Sequence, residues 1–370
     1  MIRLSRPDLS ENALQQVLDV LDSGMLVQGK WVKSFEHQLA NYLDIKHCVL
    51  VSNGTAALHL SLIAAGIGHG DEVILPAYTF TAVANAVELT GATPVFVDIQ
   101  LQDCCMDVSA IESKISSNTK AIIAVHEFGF MCDISFIQQL ANIHNIKVIE
   151  DAACALGSSW QGKKAGTFGY TGCFSFHPRK ILTTGEGGAI VTNDAEVAEK
   201  LRQLRNHGMD YSGDGIDFVL PGFNYRMTDF QAALGPDQLL MLDDVIAENN
   251  RQADYYKSHL SHLQGLHLPA AMDGCGVTYQ TYHLLFDDPG MRSKVREALA
   301  GEGVESNIGA YAIPFLNFYQ QKYRSQAKNY PSALAAFQRG LAIPLGVHLQ
   351  DEDMHLIVST IQKAMENGNR

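Results

Sequence analysis

The first two thirds of the chain alternate between short apolar runs and stretches with helical spacing. Five runs, rich in Val and Ile and apolar at successive positions, predict strands over 48–51, 72–75, 94–97, 121–125 and 147–149. Helical stretches lie between them, at 56–65, 82–89 and 134–144. Strands that are apolar on both faces and alternate with helices are typical of a parallel sheet covered on both sides. Two further runs, 173–176 and 189–192, predict strands that flank a glycine-rich loop.

The last third of the chain has a different pattern. A helical pattern extends from Thr228 to Tyr256, and Pro236 within it should kink or interrupt the helix. Beyond it, strand-like runs at 279–286 and 341–345 alternate with helices, one of them at 351–365. We therefore predict an α/β protein with two units. Residues 1–245 form a large domain with a mostly parallel, seven-stranded type of sheet and an N-terminal arm, and residues 246–370 form a smaller α+β domain.

Composition and charge exclude several classes of function. Of the 370 residues, 46% are hydrophobic, and 27 Lys and Arg face 40 Asp and Glu, which gives a net charge of −13. Such a charge repels phosphate backbones and anionic membranes, so we expect no nucleic-acid or membrane partner. The seven scattered cysteines lack CxxC spacing, which argues against disulfides or a structural metal site. With no apolar signal segment at the N-terminus, the prediction is a cytoplasmic protein.

The candidate chemistry lies where the predicted strands end. In an open parallel sheet, ligands bind beyond the carboxyl ends of the strands. The turn Ser52-Asn53-Gly54 opens a helix whose free amides could bind an anion, although by itself this pattern is typical of an ordinary helix cap. The chain has neither GxGxxG at a strand-to-helix turn nor GxxxxGK[ST], so neither a dinucleotide fold nor a P-loop is supported.

One cofactor would use all of the polar groups at these strand ends. Pyridoxal phosphate needs a lysine for its Schiff base, a carboxylate for its ring nitrogen, a helix N-terminus for its phosphate and a flat side chain against its ring. Lys180, just before the glycine-rich loop, could supply the amine, Asp151 the carboxylate and Phe80 the flat face. The phosphate cradle is predicted from Gly54, Thr55 and Ala56.

Together these segments resemble the sugar aminotransferases of the DegT/StrS family. The resemblance runs from about residue 29 to near the C-terminus. It rests on SNGTAALHL (52–60), GDEVILPAYTFTAVANAVELTGATPVFVDI (70–99), VIEDAACALGS (148–158), FSFHPRKILTTGEGGAIVTND (174–194) and GFNYRMTDFQAALG (222–235). It implies the aspartate-aminotransferase-like fold, which is fold type I of the enzymes that use pyridoxal phosphate.

The resemblance also implies roles for individual residues. Lys180 becomes the Schiff-base lysine and the base that moves the proton, Asp151 the partner of the ring nitrogen, and Phe80 the stacking residue. The phosphate ligands it implies are Thr55, Ala56 and Ser175. Asn224 resembles the residue that such enzymes lend to the phosphate of a neighbouring subunit, which implies a homodimer with shared active sites.

Two residues depart from the family pattern. Cys154 stands where relatives usually carry Gln or His near the cofactor's ring oxygen, and a thiol is a weak hydrogen-bond partner. Phe128 stands where Tyr is common. Both departures concern the substrate region, for which the resemblance also suggests His177, Arg179 and Tyr311. For a lone histidine such as His177 or His126, a structural role is the simpler interpretation.

The implied activity is a ping-pong transamination from glutamate to a nucleotide-linked keto-deoxysugar, in the biosynthesis of amino sugars for surface polysaccharides. Ala155, Leu156 and Gly157 are slightly more similar to relatives that act at C4 than at C3. Three alternatives stay open. They are a dehydratase or lyase with the same cofactor, a C3-specific aminotransferase, and a regulator that binds pyridoxal phosphate without turnover. Lys180 argues against the dehydratases, because some relatives with that activity replace the lysine with histidine.

Overall fold

A computed structural model describes residues 1–211, 213 and 215–368 of the chain. The α-helices described there are α1 (Glu11–Ser23), α2 (Lys30–Leu43), α3 (Gly54–Ala64), α4 (Ala82–Leu89), α5 (Ile134–His144), α6 (Ala195–Arg205), α7 (Asp229–Ala232), α8 (Gly235–Leu240), α9 (Leu242–Leu260), α10 (Pro289–Gly301), α11 (Asn317–Tyr323), α12 (Pro331–Arg339) and α13 (Asp351–Gly368). The strands are β1 (His47–Val51), β2 (Glu72–Pro76), β3 (Tyr78–Thr79), β4 (Thr93–Val97), β5 (Thr119–Val125), β6 (Lys147–Asp151), β7 (Ser159–Trp160), β8 (Lys163–Lys164), β9 (Thr171–Ser175), β10 (Gly188–Thr192), β11 (Met209–Asp210), β12 (Asp217–Phe218), β13 (Leu266–His267), β14 (Cys275–Gly276), β15 (Tyr282–Phe286), β16 (Tyr311–Ala312) and β17 (Gly340–Ile343).

The largest sheet has seven strands in the order β1-β10-β9-β6-β5-β2-β4. The pairs from β9 to β4 are parallel, and β10 runs antiparallel to both of its neighbours. Strands β5, β6, β9 and β10 are almost completely buried, because helices cover both faces. The predicted α/β class and the mostly parallel sheet are therefore confirmed, and each predicted strand of this sheet is present within about two residues.

The predicted long helix over 228–256 is instead three helices, α7, α8 and α9. Pro236 lies in the first turn of α8, where its missing N–H breaks no hydrogen bond, so the chain ends one helix and begins another there. A second break at Met241 separates α8 from α9. The interruption at Pro236 agrees with the expectation, whereas the break at Met241 was not predicted.

The helices and strands bury two clusters of apolar side chains between them. The larger surrounds the seven-stranded sheet. The smaller is formed by α10, α13, the second half of α9 and the antiparallel sheet β13-β15-β17. The predicted boundary at 245/246 falls inside α9, and apolar residues between 310 and 336 pack with the larger cluster, so the division into 1–245 and 246–370 stays a prediction. Among the described residues, no helix is both long enough and apolar enough to cross a membrane.

Candidate active site

A cavity of about 620 Å³ lies at the carboxyl ends of the parallel strands β2, β5, β6 and β9. This is the edge of the sheet at which the sequence placed the chemistry. Ten of the twelve predicted site residues line it: Gly54, Thr55, Ala56, Phe80, Asp151, Cys154, Ser175, His177, Arg179 and Lys180. The side chains come from four separate strand ends and from the loop before β10, so the fold brings together residues more than 120 positions apart in the sequence.

Lys180 reaches into the cavity from the segment between β9 and β10. Its Nζ donates a hydrogen bond to Cys154 Sγ at 2.8 Å. Gln280 holds the backbone on both sides of the lysine, since its side chain accepts from the Ile181 amide at 2.8 Å and donates to the Arg179 carbonyl at 2.5 Å. Burial opposes the charge on Lys180, but the hydrogen bond to Cys154 and the nearby carboxyls of Asp151 and Glu127 more than offset it, and the pKa of the amine is raised.

Asp151 is the last residue of β6, and its carboxyl is buried beside the cavity. The Ala153 amide donates to its Oδ1 at 3.0 Å. Burial raises the pKa of Asp151, while the Ala153 amide, Lys180 and His126 act in the opposite direction. A buried carboxyl open to a cavity is suited to a cationic partner that enters with a ligand, such as a protonated ring nitrogen.

The start of α3 and the end of β9 approach each other too closely for any side chain at position 54. A Cβ at Gly54 would lie 2.9 Å from Ser175 Cβ, so glycine is required there by close approach. The first residues of α3 and Ser175 line the same space, which fits a phosphate at a helix N-terminus. The Ala56 amide donates to the Asn53 side chain at 2.8 Å, which is the ordinary helix cap that the sequence pattern also allowed.

Phe80 directly follows β3 and exposes 55% of its surface, an unusual state for a phenylalanine that lines a cavity. Its open face gives a flat apolar wall against which a planar ring can stack. The ring of Tyr311 lies next to that of Phe80, with centroids 6.3 Å apart, because β16 pairs with β3. Tyr311 is not among the residues that line the cavity.

Three other predicted residues, His177, Arg179 and Asn224, lie at different places relative to the cavity. His177 is half-buried at the cavity wall, and burial lowers its pKa. Arg179 is exposed at the cavity mouth. Asn224 is exposed, forms a backbone bridge with Asn206, and is absent from the cavity lining of its own chain. Its neighbour Tyr225 does line the cavity and contacts His59.

Sequence analysis did not single out Glu127, which lines the cavity and is only 5% exposed. Burial raises the pKa of this carboxyl to about 7, although the Thr79 hydroxyl and Lys180 act against the shift. Its neighbour His126, left open by the sequence, has a structural arrangement: the ring pairs with Glu150 at 3.0 Å and with Cys132. Glu150 in turn accepts three backbone amides from 166–169, so it fixes that loop below the site.

Comparisons with known proteins agree with this geometry. Residues 7–362 match the model of the DegT/DnrJ/EryC1/StrS aminotransferase family. The chain is 37% identical over 363 residues to a GDP-perosamine synthase of Escherichia coli O157:H7, covering 98% of both chains. It is also 37% identical over 361 residues to a UDP-N-acetyl-3-dehydro-alpha-D-glucosamine 3-aminotransferase of Acidithiobacillus ferrooxidans, covering 96% of this chain and 95% of the relative. The PLP form of Spr1654 from Streptococcus pneumoniae superposes with a TM-score of 0.92 at 30% identity, covering 98% of both chains. The chain therefore belongs to the DegT/DnrJ/EryC1/StrS aminotransferase family.

Proposed function

We propose that this aminotransferase uses pyridoxal phosphate to move an amino group from glutamate to C4 of a nucleotide-linked keto-deoxysugar, by a ping-pong mechanism. The observation that carries the proposal is the assembly of three features in one cavity: the Lys180 amine, the buried Asp151 carboxyl and the narrow cradle between Gly54 and Ser175. The names of the relatives support the substrate class, since both act on sugars linked to nucleotides. The product would be an amino sugar of the type found in surface polysaccharides.

In this proposal, Lys180 holds the cofactor, Asp151 contacts its ring nitrogen, Phe80 covers one face of the ring, and the start of α3 with Ser175 binds its phosphate. When bound, pyridoxal phosphate supplies an aldehyde that accepts an amino group from one substrate and gives it to the next, with the ring as an electron sink. The Lys180 amine, released from the cofactor, moves the proton at the reacting carbon of each substrate.

Asp151 stabilises positive charge on the ring because its own carboxylate is buried, where a charge interaction is stronger than in water. Cys154 lies 2.8 Å from the nitrogen of Lys180 and replaces the usual Gln or His. It can therefore position the amine by contact but supplies no strong donor. His177 and Arg179, at the wall and mouth of the cavity, are the side chains that we assign to the sugar and its diphosphate.

The proposed homodimer has support from the surface near Asn224. The hairpin β11–β12 and its flanks expose apolar side chains: Tyr211 62%, Ile216 60%, Phe218 60% and Val219 49%. Exposed apolar groups concentrated on one segment are typical of a contact surface. We propose that a second copy of the chain packs on this hairpin. In such a dimer, the exposed Asn224 would reach the cavity of the partner. Size-exclusion chromatography with light scattering tests the dimer, and loss of cofactor affinity in Asn224→Ala tests the shared site.

The most specific part of the proposal is the sugar carbon, C4, that receives the amino group. Ala155 and Leu156, whose pattern favours C4, are buried and are absent from the residues that line the cavity, so their effect on the sugar would be indirect. One relative is named as a 3-aminotransferase. Regiochemistry therefore has to be measured on the product.

The test is a panel of GDP-, UDP- and dTDP-linked 4-keto and 3-keto sugars, incubated with glutamate and the cofactor-loaded protein. We expect glutamate alone to convert the cofactor to its amino form, and a 4-keto sugar then to gain an amino group at C4, read by mass spectrometry and NMR. Loss of water from the sugar without amino transfer would favour a dehydratase or lyase. An amino group at C3 would overturn the C4 assignment, and no conversion with glutamate would indicate a non-catalytic binder. Lys180→Ala is the control for every arm.

A further inference from the structure

The cavity contains a second buried carboxyl, Glu127, that the mechanism above does not use. Strand β5 ends at Val125, and the amide of His126 donates to the carbonyl of Asp151 at 3.0 Å. Glu127 is the next residue, so it lies beside Asp151 at the same edge of the sheet. Its side chain lines the same cavity as Thr79 and Lys180. It is as deeply buried as Asp151, with 5% exposed against 6%.

The backbone after Glu127 forms a tightly packed turn. Phe128 has φ 57° and ψ 12°, a left-handed conformation that costs a non-glycine residue about 1–2 kcal/mol. Its ring stacks on His283 with centroids 4.8 Å apart. Gly129 follows at φ 95°, where a Cβ would meet Thr278 Oγ1 at 2.5 Å. The turn is therefore held by packing on both sides, and the backbone that carries Glu127 at the cavity is fixed with it.

Burial of an ionised carboxyl is costly unless a positive charge lies nearby. The titratable groups that interact with Glu127 are Lys180, Asp151 and Cys154 in the cavity and Tyr78, Cys104 and Cys105 behind it. Lys180 is the base of this set, and the others are acids. Because Asp151 is assigned to the ring nitrogen of the cofactor, Glu127 is the carboxyl that this arrangement leaves for the nitrogen of Lys180.

We propose that Glu127 is a positioning residue whose carboxylate stabilises the protonated form of the Lys180 nitrogen. It does so both when the lysine is free and when it is bound to the cofactor. The inference rests on the proposed role of Lys180 in binding the cofactor. Since burial raises the pKa of Glu127 to about 7, the carboxylate is present above that pH, and its effect on Lys180 is lost as the pH falls through 7.

The test is the absorbance of the bound cofactor as a function of pH, which follows loss of the proton from the cofactor-bound nitrogen. Glu127→Gln keeps the shape of the side chain and removes the charge. We expect its midpoint to fall by about one pH unit relative to the unaltered protein, a tenfold loss of proton affinity. The matched control is Glu186→Gln, which removes an exposed carboxyl at the same cavity. Solvent screens this charge, so its midpoint should move by less than a third as much.

The outcomes separate this inference from the proposed function. If the unaltered protein does not take up pyridoxal phosphate on Lys180, the proposed function and the inference both fail. If it does, and Glu127→Gln has an unchanged midpoint, only the inference is overturned. A raised KM for the sugar with an unchanged midpoint would also overturn it, because Glu127 would then be a sugar contact. Should Glu127→Gln not fold by circular dichroism, Thr79→Val decides: without the hydroxyl, Glu127 holds its proton to higher pH, and the midpoint should fall in the same direction by a smaller amount.

Discussion

Replacement of Glu127 by glutamine should stabilise the cofactor-free protein at alkaline pH. The pKa of Glu127 is about 7 in the folded chain, against an ordinary value of 4.5, chiefly because burial penalises the charged form. Each pH unit between these values corresponds to 1.36 kcal/mol, so ionised Glu127 costs the folded state about 3 kcal/mol. Below pH 4.5 the group is protonated in both states and costs nothing. Between 4.5 and 7 the unfolded chain ionises first, and stability falls as the pH rises.

The measurement is urea or thermal unfolding of the cofactor-free protein at pH 4.5, 6 and 8.5, for the unaltered chain and Glu127→Gln. We expect equal stability at pH 4.5 and an advantage of up to about 3 kcal/mol for the variant at pH 8.5. Glu186→Gln, at an exposed carboxyl, should show no such pH-dependent gain. A Glu127→Gln protein that is no more stable than the unaltered chain at pH 8.5 would show that the carboxyl is not held in a desolvated place. A stabilised variant with weakened function is the usual trade-off at an active site.

Three further predictions concern the cofactor site. Lys180→Ala should lose the borohydride-reducible chromophore that forms with pyridoxal phosphate; a labelled lysine elsewhere in the variant would refute the assignment. Gly54→Ala should weaken cofactor binding at least tenfold in an absorbance titration and cost about 1–3 kcal/mol, because its Cβ meets Ser175. Gly301→Ala, which adds a Cβ in open space at the end of α10, should do neither. Cys154→Ser should leave the pH midpoint of the bound cofactor within a few tenths of a unit, because a neutral thiol is exchanged for a neutral hydroxyl; a shift as large as that of Glu127→Gln would show that the thiol is ionised.

The sheet could be predicted from the sequence because strands buried on both faces leave uninterrupted apolar runs. Every predicted strand of the sheet, from 48–51 to 189–192, appears in the structure. The site could be predicted from the same apolar runs, because they show where the strands end. Polar residues just beyond those ends lie at one edge of the sheet, as Asp151 and Lys180 do. The sequence therefore predicts which distant residues meet at the site wherever their meeting depends only on the direction of the strands.

Glu127 could not be found in this way. It follows a strand as Asp151 does, but it lines the cavity from a turn in which Phe128 has a left-handed conformation. Non-glycine residues adopt that conformation rarely, so a sequence pattern does not indicate it. Tyr311 shows the opposite case: it lies next to Phe80 through the pairing of β16 with β3, yet it does not line the cavity.

Two side chains of this cavity act on the same nitrogen of Lys180: Cys154 by a hydrogen bond and, in the inference above, Glu127 by its charge. Cys154 accepts the hydrogen bond from Lys180, but burial raises the pKa of the thiol, so at neutral pH it offers contact without charge. Asp151 serves the ring nitrogen in the proposed function. A protonated thiol at position 154 therefore supplies no negative charge to keep the Lys180 nitrogen protonated. Glu127 supplies it from the neighbouring strand end, at a cost in stability that disappears when the carboxyl is protonated. The site therefore exchanges stability of the cofactor-free chain for control of one proton.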